Sequence, residues 1–413
     1  MQEVIIIGGG ASGLVAAINI ARKGKKVTIL EKNSACGKKI LATGNGRCNY
    51  FNEDQSLIHY RSKNNDLIEK VINKTNLDEV LCFFDSIGIV PKIKNGYYYP
   101  NSNQAVSIQN ALLIEAKNLK IDVKTDTTVF NIKNEKDEKQ NNIFNIITNQ
   151  GNFYAKKVIL ATGTKASVKT EENTLGYEFS KRFGHSCIKV LPALVQLKGN
   201  EKYFKEWNGI RIDASISLYD NNSNVIAKEI GEIQLTDYGV SGICAMNLSG
   251  RVSRMVSDGK SPYVSINFLD SLNIENENKA KEFIDNRNEN MENRNIVELL
   301  EGVINYKLLN VLLKNLNISN KSSWDELSDY NKKQFILSLI SLKINITGTN
   351  SFDKSQVCSG GIPLNEIDLN TMESKLVKGL YIIGELLDVD ADCGGYNLTW
   401  AWITGIISGK CIY

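Results

Sequence analysis

Val4-Ile5-Ile6-Ile7-Gly8-Gly9-Gly10-Ala11-Ser12-Gly13 is the stretch that decides the fold. Four apolar residues in a row read as a strand buried on both faces. Gly8 to Gly13 then fit the pattern G-x-G-x-x-G. From about Ser12 to Lys23 the residues Leu14, Ala17, Ile18 and Ala21 share one helical face, and Gly24 ends that helix. Val27-Thr28-Ile29-Leu30 is a second apolar strand, followed by Glu31 and Lys32. Each part has a task in a dinucleotide site. Gly8 allows the tight turn, Gly10 lets a pyrophosphate approach the backbone, and Gly13 lets the helix pack on the strand. The helix start at Ala11 and Ser12 offers unpaired N–H groups and the positive end of the helix dipole. Glu31 can accept from a ribose diol, and its charge disfavours a 2′-phosphate. NAD and FAD fit equally well at this point.

The rest of the chain sets limits. Its 413 residues are too many for one ordinary core and imply two or three domains. A net charge of +3 gives no reason to expect nucleic acid as a partner. No apolar run reaches membrane-spanning length, and no leader precedes the first strand, so a cytoplasmic protein without a membrane partner is expected. The 8 cysteines include no C-x-x-C pair, which argues against a disulfide framework or a metal site. With only 2 histidines, a His-based catalytic triad is not expected.

Three later segments separate FAD from NAD. The first is Lys38-Lys39-Ile40-Leu41-Ala42-Thr43-Gly44-Asn45-Gly46-Arg47-Cys48-Asn49. The second is the apolar strand Val158-Ile159-Leu160 running into Ala161-Thr162-Gly163. The third is the run from Thr371 to Gly405, with Gly384-Glu385, Asp388 and Gly394-Gly395-Tyr396-Asn397. Together they resemble the flavoprotein family of BaiN-type bile-acid reductases and aminoacetone oxidase, over nearly the whole chain. The resemblance implies FAD. It sets Lys32, Lys39, Gly46, Arg47, Cys48 and Asn49, the turns Ala161-Thr162-Gly163 and Gly384-Glu385, Asp388, and the segment Gly395-Tyr396-Asn397-Leu398 against that cofactor. Three places depart from the family pattern: Thr164 stands where a second glycine is common, Tyr50-Phe51-Asn52 where a threonine usually precedes the asparagine, and Cys358 where a threonine is usual before Gly360-Gly361.

These readings give an α/β protein: a discontinuous Rossmann-like FAD-binding domain with an inserted β-barrel-like domain and a small helical subdomain. We place the FAD-binding parts at residues 1–190 and 346–413, the β unit at 191–270 and the helical part at 271–345. Residues 64–90 and Ala105 to Leu119 read as helical, the latter capped by Ser102 or Asn103. Phe144 to Tyr154 reads as a hairpin. The Asn- and Glu-rich stretch Glu275 to Asn295 reads as a solvated helix or mobile cover.

Catalytic candidates are Arg47, Tyr238 and Cys358. Arg47 and Asn49 read first as a loop closing on the cofactor, Cys48 as a small packed residue, His185 as helix-end packing and His59 as a surface residue. Tyr97-Tyr98-Tyr99-Pro100 is either a pocket wall or a core strand. Of Trp400 and Trp402, one is expected in the core and the other beside the site. There is no second G-x-G-x-x-G, so NADH or NADPH would act as a transient electron donor at the flavin face. The expected activity is two-electron transfer to or from a small organic molecule. The bile-acid resemblance suggests a conjugated ketone of steroid type. An amine oxidase using oxygen, and a non-catalytic flavin-binding protein, are the alternatives.

Overall fold

The computed structural model describes residues 2–74, 77–136, 142–167, 175–291 and 293–412. They form two compact units. The first comprises Met1–Leu191 and Val357–Tyr413, and the second Pro192–Gln356.

The first unit is built on a parallel sheet. Strand β1 (Gln2–Ile7) leads into helix α1 (Ala11–Arg22) and strand β2 (Val27–Leu30). β1 pairs in parallel with β2 on one side and with β3 (Gly151–Leu160) on the other. Helix α2 (Leu175–Arg182) and strand β4 (Val357–Gly361) follow in sequence, then strand β5 (Leu380–Ile382), which pairs in parallel with β3. The register places the site. Leu30, Ile7, Leu160 and Ile382 lie in one row across the four strands. The segments that follow them, Glu31, Gly8, Ala161 and Ile383-Gly384, therefore leave the same carboxyl edge of the sheet, where open α/β sheets bind ligands.

The C-terminal helix α3 (Tyr396–Cys411) is buried along most of its length and packs on α1. Glycine makes the approach possible. A Cβ on Gly405 would stand 2.7 Å from the Ser12 carbonyl oxygen, and one on Gly409 would stand 2.9 Å from that of Ala16. Trp400 and Trp402 are both core residues, at 2% and 0% exposure. Both side chains are enclosed; the Trp402 indole donates to the Tyr50 carbonyl, and the Trp400 indole reaches the turn after β5.

In the second unit a closed six-stranded barrel runs Leu197–Gly199, Gly239–Ser241, Val225–Thr236, Arg211–Tyr219, Tyr263–Asn267, Leu342–Thr349. Two of these strands were not anticipated. Gly239–Ser241 has only three residues. Leu342–Thr349 straddles the expected boundary between the helical part and the second FAD-binding part, and its Leu342, Ile344 and Ile346 are buried and their neighbours Lys343, Asn345 and Thr347 exposed, the period of a strand with one wet face. The Asn-rich stretch is the helix Glu277–Asn290, capped by Asn276, whose Ala280 and Ile284 are buried.

Residues 64–90 resolve into two helices, Asn65–Ile72 and Leu77–Ser86. The helix Ala105–Asn118 has Gln104 at its start and no side-chain cap, because Ser102 turns to the Ser107 hydroxyl instead. Tyr97–Pro100 is a strand of a small three-stranded sheet. Among the described residues no helix is long and apolar enough to cross a membrane.

Candidate nucleotide-binding site

The turn after β1 is held by two hydrogen bonds from its own backbone N–H groups. The Gly8 N–H donates to the Leu30 carbonyl at 2.9 Å, and the Gly9 N–H to the Glu31 carboxylate at 2.8 Å. Four glycines crowd this turn for different reasons. Gly8 has φ +105°, and a Cβ there would lie 2.4 Å from the Ala161 carbonyl oxygen. One on Gly13 would lie 2.1 Å from the Gly8 carbonyl oxygen, and one on Gly9 2.2 Å from the Cys36 sulfur. Gly9 is a fold requirement that the motif does not mark. Gly10 differs from all three. Its φ of −79° suits any residue, and a Cβ there meets nothing within 4 Å. The protein itself does not need glycine at this position. Open space above an uncapped helix start is what an approaching pyrophosphate requires.

Glu31 is buried, and its carboxylate is largely engaged. One oxygen accepts from Gly9, and the other accepts from the Asn33 backbone and side-chain amides at 2.8 and 2.6 Å. A carboxylate offers about four acceptor directions, so one remains for a ribose hydroxyl. Lys32 is half-buried beside it.

The turn after β5 abuts the first one. Gly384 has φ +69°, and a Cβ there would stand 2.5 Å from the Ser12 hydroxyl. Its N–H donates to Thr404 at 3.0 Å, and its carbonyl accepts from the Trp400 indole at 3.2 Å. One oxygen of Glu385 pairs with Lys39 at 2.6 Å, while the other is buried without a partner among the described residues. A second buried oxygen without a partner among the described residues, on the Asn49 side chain, lies 3.0 Å from where a Gly395 Cβ would be. Unsatisfied buried acceptors are uncommon and call for an explanation. These two sit on loops gathered at one sheet edge and at the start of α3, so a polar ligand laid along that edge explains both. The residues present therefore fit a dinucleotide.

Other residues singled out in the sequence serve the protein itself. Asp388 accepts from the Ser62 hydroxyl and the Lys63 N–H. The Asn397 side chain is spent on Ala391 and Asp392, which leaves only its backbone N–H for a ligand. The N-terminus of α3 has no side-chain cap. Arg47 and Gly46 are exposed, Thr162, Gly163 and Leu398 half-buried, and Ala161 and Tyr396 buried. Burial pushes the thiols of Cys48 and Cys358 up to about 12, with Glu385 adding to the effect at Cys358, so both stay protonated near neutral pH. Tyr238 lies in the second unit, half-buried in the turn before Gly239–Ser241.

Two histidine clusters escaped the sequence reading. His59 is not a free surface residue. Its ring stacks on Tyr396 at 4.3 Å, and its nitrogens face Asp392 and Asp54, each at 3.0 Å. Arg61 beside it spans Asp390 and Asp392. No local pattern could reveal this, because His59 and Asp392 are 333 positions apart. His185 lies between Glu366 and the Ser374 hydroxyl, 2.8 Å from each. The order is that of a serine triad, but the Ser374 oxygen already accepts from the Leu376 and Val377 N–H groups. Its proton therefore goes to His185, whose other nitrogen donates to Glu366. Ser374 and His185 are both buried and the Ser374 lone pairs are engaged, so the trio is a brace whose hydroxyl is not open to a substrate.

Fold and site define a dinucleotide-binding Rossmann protein of the flavoprotein oxidoreductase class. The chain belongs to the family described as "HI0933-like protein Rossmann domain", whose model matches residues 2–411. It is 37% identical, over 99% of its own length and 98% of the other's, to the 3-dehydro-bile acid delta(4,6)-reductase of Clostridium scindens. It is 27% identical to the ribosomal RNA dihydrouridine synthase of Haemophilus influenzae, over 97% of this chain and 96% of that protein. Among solved structures, the 3-ketosteroid-delta4-(5alpha)-dehydrogenase of Rhodococcus jostii matches 99% of this chain and 96% of its own at 13% identity, with a TM-score of 0.48.

Proposed function

We propose that the protein is an FAD-dependent reductase that saturates a carbon–carbon double bond conjugated to a carbonyl in a small, largely apolar molecule of steroid type. NADH or NADPH serves as transient donor. The observation that carries this reading is the full-length likeness to a bile-acid reductase, joined to a sheet edge whose orphaned acceptors suit a dinucleotide. The bound flavin supplies a hydride equivalent. The chain's own groups do the rest. The α1 start at Gly10 to Gly13 holds the pyrophosphate, Glu31 the adenosine ribose, and Glu385 and Asn49 the polar groups nearer the flavin. The uncapped start of α3 brings its N–H groups and about half a positive charge toward the flavin, which favours the anionic reduced form.

A second reading has its own support. The relatives named as ribosomal RNA dihydrouridine synthases act by the same chemistry on a different molecule, since dihydrouridine is uridine with a conjugated double bond saturated. The small molecule is favoured by the higher identity to the bile-acid enzyme and by the small net charge. The test is anaerobic. The FAD-loaded protein is reduced with NADH or NADPH and then mixed with a 3-oxo-4-ene steroid, with rRNA lacking dihydrouridine, or with oxygen alone. Fast reoxidation by the steroid supports the proposal. Reoxidation by rRNA alone would replace the substrate, and reoxidation by oxygen alone would make the protein an oxidase.

A further inference from the structure

Tyr177 lies outside every motif read from the sequence. It sits in the first turn of α2 and is 4% exposed, and its hydroxyl has no hydrogen-bond partner among the described residues. A buried hydroxyl without a partner is costly, and phenylalanine would fill the same space without that cost. The neighbouring Gly176 shows where α2 starts. A Cβ on it would lie 2.0 Å from the Thr162 hydroxyl and 3.1 Å from a Leu386 methyl. The first turn of α2 is thus wedged between the end of β3 and the Gly384–Leu386 turn, at the same sheet edge as the dinucleotide site.

That turn carries the orphaned oxygen of Glu385. Burial, then Cys358 and Glu385, push the Tyr177 phenol well above its ordinary value, so it is a hydrogen-bond donor. The two do not bond each other, since each would otherwise satisfy the other. Gly176, beside Tyr177, packs against Leu386, beside Glu385, so an unmet donor and an unmet acceptor stand on adjoining turns of the same sheet edge. A phosphate would accept from Tyr177 but be repelled by the carboxylate. A hydroxyl meets both, accepting from Tyr177 and donating to Glu385. The adenosine ribose is already assigned to Glu31, which leaves the ribityl chain of the flavin.

We propose that Tyr177 is a cofactor-binding residue that, with Glu385, holds one hydroxyl of the FAD ribityl chain. This rests on the FAD reading above. The test compares wild type with Tyr177→Phe in three measurements: affinity of the apoprotein for FAD, affinity for ADP, which lacks the ribityl chain, and Tm of the apoprotein. Tyr177→Phe is expected to weaken FAD about tenfold, the weight of one buried hydrogen bond. ADP affinity should be unchanged, and the apoprotein Tm unchanged or higher because an unmet hydroxyl is gone. Unchanged FAD affinity would overturn this inference alone. So would equal weakening of ADP, or a lower apoprotein Tm, either of which would make Tyr177 structural. A wild-type protein that binds ADP but no FAD would overturn the FAD reading and this inference with it.

Discussion

The ammonium of Lys39 stands 2.6 Å from one oxygen of Glu385, across 346 positions of sequence, and the other oxygen of that carboxylate is buried without a partner among the described residues. The two oxygens have different work. The pair with Lys39 ties the short helix Lys38–Leu41, which follows β2, to the turn after β5, but Lys39 is 40% exposed, so the ion pair itself adds little, about 0–1 kcal/mol. The buried oxygen is the one we propose for the cofactor. Lys39→Met should lower the apoprotein's stability by less than about 1 kcal/mol. Glu385→Gln keeps the shape of the side chain and should weaken FAD more than it weakens the apoprotein. Urea unfolding and a flavin fluorescence titration separate the two effects. The idea fails if Glu385→Gln binds FAD like wild type.

Gly10 makes the sharpest separation of fold from binding. Nothing lies within 4 Å of a Cβ built there, and its backbone is ordinary. Gly10→Val should fold with an apoprotein Tm near that of wild type and lose FAD, because the side chain fills the pyrophosphate's space. Full FAD retention in the purified variant would move the cofactor away from this turn.

Glu31 is the opposite case. Its carboxylate braces Gly9 and Asn33 before any ligand arrives. Glu31→Ala should destabilise even the apoprotein, by about 1–3 kcal/mol, since buried N–H groups lose their acceptor. A denaturant midpoint equal to wild type would show that the brace carries no weight.

The Glu366 brace makes stability depend on acid. Burial pushes the Glu366 carboxyl up, but hydrogen bonds from Ser186 and His185 more than reverse this and hold it below the usual carboxylate range. A depressed folded value means that the stabilisation is complete above the unfolded value, about 4.3, and is lost as pH falls through the lower folded value. Glu366→Gln should lower stability at neutral pH by about 1 kcal/mol and flatten the acid limb. Urea midpoints from neutral pH down to about 3 would test it. Parallel curves for the two proteins would count against the brace.

What the sequence made legible was local. β1, α1 and β2 could be read within 31 residues because strand, turn and helix follow at fixed spacing, and Gly10 and Glu31 fall where the motif puts them. Distant pairings left no trace. His59 looks like a surface residue until Asp392 closes on it, and Gly9 is needed only because Cys36 folds back against it. The strand Leu342–Thr349 was hidden by its polar residues, which face outward from the barrel, and by the helices before it. Tyr177 belongs to no motif, because its significance is a missing partner, which only a structure can show.

The start of α3 should set the redox potential. Gly395 has φ +95°, and a Cβ there would stand 2.8 Å from the Phe51 carbonyl carbon and 3.0 Å from the Asn49 side-chain oxygen. Alanine at this position is strained in conformation and crowded by backbone, so Gly395→Ala must displace the first turn of the helix. No side chain caps that turn, so its N–H groups and dipole are available to the flavin proposed to lie there. A helix end contributes up to about 2 kcal/mol in a partly buried setting. A two-electron couple moves by about 30 mV for about 1.4 kcal/mol. Pulling the donors away removes support from the anionic reduced form, so the potential of the flavin that remains bound should fall, by up to about 40 mV. A spectroelectrochemical titration of the variant, normalised to its FAD content, measures this. If the variant keeps stoichiometric FAD and its potential matches wild type, the flavin ring does not sit at the start of α3.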